Sequence, residues 1–134
     1  MSECIFCKIA KGDIPSYKIY EDDFSIAFLD IFPHAKGHTV VIPKKHFVTP
    51  FDMSAVEFEK VFGAVHSAME KIQAKLQPEG FNVGWNQGDI GGQVVKHLHI
   101  HIFPRYAGDG GSSVHAIVKN PGDQSAAELA KLFS

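Results

Sequence analysis

Apolar and polar residues change period several times along this chain, and each change marks an element. Ser16–Tyr20 and Phe24–Leu29 read as two strands joined at the acidic turn Glu21-Asp22-Asp23. Residues 33–37, from a proline to a glycine, break the chain, and His38–Ile42 follows as a β-branched strand that Pro43 ends. The period then lengthens. Phe58, Val61, Phe62, Val65, Met69, Ile72 and Leu76 recur at three- and four-residue spacing, and Ser54 with Glu57 forms a capping-box signature ahead of them. This predicts an amphipathic helix of about six turns. Beyond Pro78 and Gly80, Phe81–Trp85 predicts a strand, Asn86–Gln93 a polar loop and Val94–Phe103 a further strand. A short N-terminal segment surrounds Ile5–Lys11, and Ser125–Phe133 predicts a short helix. Strands in runs, with the helices collected rather than alternating, give an α+β class: an antiparallel sheet with one long helix packed on a face.

The 134 residues carry no repeat, low-complexity tract or Pro/Gly/Ser-rich linker, so residues 1–134 are expected to form a single domain. A formal charge of -2, with lysines scattered apart from Lys44 and Lys45, gives no general attraction to nucleic-acid polymers or anionic membranes. The N-terminus lacks the apolar core of a signal peptide, and no apolar run is long enough for a membrane span, which leads to the expectation of a cytoplasmic protein. In that reducing setting Cys4-x-x-Cys7 reads as a metal or redox pair before a disulfide.

The chemistry concentrates in His97-Leu98-His99-Ile100-His101-Ile102-Phe103. In a strand, alternate side chains share a face, so the three imidazoles line up about 6.6 Å apart while Leu98, Ile100 and Ile102 bury on the other side. Three stacked imidazoles have nitrogens that need partners, which disfavours a purely structural role. Spacing alone leaves two chemistries open: zinc-bound water, or a histidine nucleophile. The loop NQGDIGGQVV that leads into this segment is glycine-rich, so its N–H groups can approach an anion, and the amides of Asn86 and Gln93 can donate to phosphate oxygens. The same residues also suit an ordinary hairpin turn, and Asp30 suits a turn cap before Pro33.

His97–Phe103 resembles the motif of the histidine triad family, three histidines alternating with apolar residues and closed by two more, and matches every position. YEDD (residues 20–23), FLDI (28–31), GHTVVIPKKH (37–46), the 86–93 loop and PRYAGDG (104–110) lie in the family's order. The likeness covers residues 4–110 and leaves 111–134 as a C-terminal tail. It implies a five-stranded antiparallel half-sheet with one long helix, dimerising into a ten-stranded sheet. It further implies a hydrolase or transferase that cleaves the α-phosphate substituent of purine nucleoside phosphoramidates or related adenylates. The alternatives are a dinucleoside polyphosphate hydrolase, or a nucleotide-sensing or partner-binding module with weak turnover.

By the same resemblance His99 is the nucleophile that becomes nucleotidylated, with the carbonyl of His97 holding its second nitrogen, and His101 and His38 support it. Asp30 matches the acceptor for both ribose hydroxyls, while Phe6, Ile9, Phe28 and Ile31 match the apolar nucleobase pocket. Val94 departs from the pattern: the nucleoside phosphoramidase branch often has serine there, and this chain can offer only a backbone N–H. Cys4, Cys7, His46 and His97 match the four ligands of zinc-containing members, a closed and therefore structural site. No organic cofactor is implied. A purine nucleotide ligand and a homodimer are.

Overall fold

A computed structural model describes residues 3–134. The N-terminal segment is a helix, α1 (Ile5–Lys11), opened by the Cys4 side chain accepting the Cys7 N–H and closed at Gly12 with φ +85°. Then come β1 (Lys18–Glu21), β2 (Ser25–Leu29) and β3 (Thr39–Pro43), the long helix α2 (Ala55–Leu76), β4 (Gly80–Gly84), β5 (Ile100–Arg105) and a short α3 (Ala126–Ala130) in the tail. Ser54 and Glu57 form the expected reciprocal capping box of α2, and Ser125 and Glu128 form another at α3. No helix among the described residues is long and apolar enough to cross a membrane.

The five strands form one sheet in the order β1-β2-β3-β5-β4, antiparallel throughout. The fold class read from the sequence is the one observed. The last strand in sequence thus lies inside the sheet, paired on both sides by β3 and β4. Val61, Ala64, Val65, Ala68 and Ile72 of α2 pack against Ala27, Val41, Leu98, Ile100 and Ile102. On the opposite face Ile26, Phe28, Val40 and Ile42 meet Ile9, Phe6 and Ile14. Both faces are covered, so β2 and β3 read as continuous apolar runs rather than alternating ones.

Two strand starts differ from the sequence reading by more than one residue. The strand expected over Val94–Phe103 begins only at Ile100. Its partner β4 ends at Gly84, opposite His101, and the β3 pairing stops at Val41, opposite Ile100. Among the described residues nothing continues the ladder beside residues 94–99, and Leu98 N–H is instead received by the carbonyl of Phe47 at 2.7 Å. The in–out alternation nevertheless persists from Leu98 through Arg105. The first strand starts at Lys18 rather than Ser16, beside a register irregularity between Lys18 and Tyr20.

Candidate active site

His97, His99 and His101 do not form a free row of equivalent imidazoles, because each ring is oriented by a different partner. His97 is fully buried. Its Nε2–H donates to the carbonyl of Pro43 at 2.8 Å, so its Nδ1 is bare. His99 donates its Nδ1–H to the main-chain oxygen of His97 at 2.8 Å, which leaves its Nε2 as a lone pair in the cleft. His38, on the edge of β3, accepts the backbone N–H of His34 at Nδ1, 3.1 Å away. Its proton therefore sits on Nε2 and is donated to His101 Nδ1 at 2.9 Å. His101 in turn carries its proton on Nε2. The chain His34 N–H, His38, His101 thus runs one way and delivers an N–H donor beside the lone pair of His99, whose ring centroid is 5.1 Å from that of His101.

Burial favours the neutral forms of His38 and His101. It holds His38 below the ordinary histidine value, against the opposing pull of Asp30. His101 is pushed down to about 4, chiefly by burial and secondarily by His99 and His38.

The cleft in front of His99 has a volume of about 290 Å³ and gathers Phe6, Ile9, Phe28, Asp30, Ile31 and His101 around it. The ring of Phe6 lies 4.9 Å from that of His99 and 6.1 Å from that of Phe28. Ile9 and Phe28 are buried and serve the core as well as the cleft, whereas Ile31 is exposed at the mouth. Asp30 does cap the turn, with Oδ1 accepting from Phe32 N–H at 2.8 Å, and its Oδ2 stands 3.7 Å from His38 Nε2. Ile5 also lines this cleft, a residue the sequence reading passed over. With α1 seen as a helix, Ile5 and Ile9 fall one turn apart on the same face.

The 86–96 loop is built differently from the expectation for Gln93. Its side chain is buried; Oε1 accepts from Gly88 N–H at 3.0 Å and Nε2 donates to the carbonyl of Val48 at 2.8 Å. The amide is committed to shaping the loop and tying it to the segment after β3, not left pointing at solvent as a free donor. At Gly91 a Cβ would fall 2.1 Å from the carbonyl oxygen of Gln87, so only glycine closes this turn. Asn86 and Val94 are both exposed, and Val94 presents no hydroxyl.

Behind the triad, Cys4, Cys7, His46 and His97 converge, their donor atoms all within 4.8 Å of one another. His97 Nδ1 lies 3.4 Å from Cys4 Sγ and 3.5 Å from Cys7 Sγ, and His46 Nδ1 lies 3.2 Å from Cys7 Sγ. Tetrahedral coordination by two sulfurs and two imidazoles places ligand atoms about 3.3–3.8 Å apart, so the donor set fits a metal ion. The bare Nδ1 of His97, set by its Nε2–H bond to Pro43, is the arrangement a metal-ligating histidine requires. Asp30, His38 and His101 also cluster, but there the proton of His38 occupies the space between the rings. His34 N–H holds that tautomer in place, so this second group suits proton placement rather than a cation.

The HIT domain family model matches residues 11–108. Protein hit of Bacillus subtilis is 46% identical over 112 residues, covering 83% of this chain and 77% of its own. The adenosine 5'-monophosphoramidase of Schizosaccharomyces pombe is 44% identical over 102 residues, covering 76% and 74%. A crystal structure of a HIT family member from Bacillus subtilis superposes with a TM-score of 0.84 at 39% identity, over 98% of this chain and 92% of that one. On motif, fold and kinship, the chain belongs to the histidine triad (HIT) domain family.

Proposed function

We propose that the protein is a nucleotide hydrolase that transfers a nucleoside monophosphate to His99 and then to water, with purine nucleoside phosphoramidates and related adenylates as substrates. The observation that carries the reading is the fixed tautomer of His99, whose Nδ1 proton is held by the His97 carbonyl while Nε2 stays free. The kinship to an adenosine 5'-monophosphoramidase supports the substrate class.

In the first step the Nε2 lone pair forms an N–P bond as the bond from phosphorus to its substituent breaks, the electron pair leaving with the substituent, which in a phosphoramidate takes a proton from solvent water and departs as the amine. The ring becomes cationic, and the His97 carbonyl oxygen against Nδ1–H stabilises that charge without moving. His101, a neutral donor at Nε2, meets a phosphate oxygen, and Asn86 with the backbone N–H of Val94 and its neighbours supplies further donors from the loop. Asp30, whose Oδ2 is free of the turn bond, receives the ribose hydroxyls. Phe6, Ile9, Phe28 and Ile31 enclose the base by apolar contact. Water then cleaves the N–P bond, releases the nucleoside monophosphate and restores His99.

Zinc is the ion that best suits two thiolates and two imidazoles with no open position, and when bound it would act as a structural brace. Cys4 and Cys7 would hold it from α1, His46 from the segment after β3 and His97 from the triad. Burial and the neighbouring Cys4 push the Cys7 thiol up in the metal-free chain, so loading releases its proton. A homodimer would complete the sheet to ten strands by pairing an edge strand of each copy, the edges being β1 and β4.

Steady-state hydrolysis of adenosine phosphoramidate by the wild type and by His99→Ala tests the reading. Release of adenosine monophosphate by the wild type alone supports it. Equal rates in both proteins would remove His99 from the chemistry.

A further inference from the structure

The two residues between the cysteines of Cys4-x-x-Cys7 are Ile5 and Phe6, and both line the cleft in front of His99. The ring centroid of Phe6 lies 4.9 Å from that of His99 and 5.8 Å from that of His97. The first turn of α1 thus supports the metal-compatible cluster and walls the base pocket at once. Cys4 stands outside the helix as its cap, with extended backbone at φ -74° and ψ 117°. Its sulfur accepts the Cys7 N–H at 3.4 Å.

The two sulfurs differ in access. Cys4 is half-buried and lines a surface cleft of about 360 Å³ with Glu3, His46 and Lys96, whereas Cys7 is buried. A small oxidant entering that cleft meets Cys4 first. Metal coordination and a disulfide exclude each other at these sulfurs. Tetrahedral coordination holds its ligand sulfurs about 3.8 Å apart, while a disulfide draws them to about 2.0 Å and the Cβ atoms to about 3.8 Å. Residues three apart on a helix have Cβ atoms about 5–6 Å apart, so the bond tightens the first turn and takes Cys4 Sγ off the Cys7 N–H. Ile5 and Phe6 are the residues that this tightening moves.

We propose that Cys4 and Cys7 form a peroxide-sensitive modification site, whose oxidation expels the metal and weakens nucleotide binding by displacing Phe6. The inference rests on the metal and base-pocket readings above and goes beyond both. Coordination holds both sulfurs as thiolates. Cys4 attacks one peroxide oxygen, the O–O bond breaks, hydroxide leaves and the sulfur becomes a sulfenic acid. The Cys7 thiolate then attacks that sulfur; the S–S bond forms as the S–O bond breaks, and a second hydroxide leaves. Each thiolate has lost one electron and the peroxide has gained two, and the freed dication balances the two hydroxides. A thiol reductant reverses the bond by exchange and reopens the site to metal.

The test adds hydrogen peroxide stepwise to reduced, zinc-loaded wild type and measures released zinc, alkylatable thiols and the Kd for adenosine monophosphate on the same samples. A chelated but still reduced sample runs beside them. Zinc release should keep pace with the loss of both thiols, and the Kd should rise about tenfold, the scale of one displaced aromatic contact. The chelated, reduced protein should keep its affinity, and dithiothreitol with zinc should restore the oxidised one. Phe6→Ala should oxidise in the same way yet show no further fall in affinity. Zinc retained with both thiols still alkylatable, a disulfide that leaves the Kd unchanged, or an equal rise in Kd on chelation alone would overturn the proposal. Reduced protein that takes up no zinc, or binds no adenosine monophosphate, would instead overturn the metal or the base-pocket reading on which it rests.

Discussion

His97 holds His99 through its main chain while its own ring meets the cysteine pair: the His97 carbonyl receives His99 Nδ1–H at 2.8 Å, and His97 Nδ1 lies 3.4 Å from Cys4 Sγ. One residue therefore joins the metal-compatible cluster to His99. The main chain reinforces the link, since Leu98 N–H bonds to Phe47, next to His46.

From this connection, removing the proposed zinc should slow chemistry more than binding. Chelation, or Cys7→Ser, is expected to lower kcat on the order of 10- to 100-fold, as for lost partners that orient a catalytic ring, with KM little changed. The thermal midpoint should fall in parallel with zinc content. Steady-state kinetics on metal-quantified protein read the split; an unchanged kcat in zinc-free protein would show that the cluster braces the fold without reaching His99.

The neutral His38–His101 pair makes stability depend on acid. Both rings sit below their ordinary values in the folded chain, His101 at about 4, so in the window beneath the ordinary histidine value the unfolded chain binds more protons than the folded one. Stability is then fully present above about pH 6.5 and is lost as pH falls toward 4. Urea midpoints at pH 7.5, 6 and 5 should decrease in that order, and His101→Asn should flatten the decline. A midpoint that rises on acidification would contradict the neutral state that burial imposes on the pair.

Much of this was legible in the sequence, and the reason is local. The α2 capping box at Ser54 and Glu57, and the alternation through Leu98, Ile100 and Ile102, are written in side chains at fixed spacing. What escaped is carried by main-chain acceptors: Pro43, Phe47 and Val48 all receive hydrogen bonds on carbonyl oxygens, which every residue type has. The true start of β5 depends on where β3 and β4 stop, a non-local matter. Gln93 resembled a free donor because its two internal partners lie on Gly88 and Val48, the latter 45 positions away.

Gln93 should matter for the fold of its loop. Gln93→Ala leaves the Val48 carbonyl and the Gly88 N–H without partners in a partly buried setting, at a cost of roughly 1–3 kcal/mol. Gln93→Glu keeps the acceptor for Gly88 but loses the donor to Val48, and should recover only part of the loss. Chemical denaturation of the three proteins ranks them. Equal midpoints would mean the loop is held by other contacts.

Asp30 performs two separable tasks, and two substitutions divide them. Asp30→Asn keeps an oxygen for Phe32 N–H and should fold as the wild type does. It loses the carboxylate proposed to receive the ribose hydroxyls, so discrimination between adenosine and 2′-deoxyadenosine phosphoramidates should shrink several-fold, by about one charge-assisted hydrogen bond. Asp30→Ala should in addition lower the thermal midpoint. Unaltered ribose discrimination in Asp30→Asn would place the sugar elsewhere.

The central claim is a covalent bond between His99 Nε2 and phosphorus. Single-turnover mixing with radiolabelled adenosine phosphoramidate, quenched within milliseconds and followed by peptide mapping, tests it directly. The account predicts an adenylylated peptide containing His99 that forms before free adenosine monophosphate appears, decays as that product accumulates and is absent from His99→Ala. Product release with no trapped adduct at any time point, at a rate unaffected by His99→Ala, would contradict it.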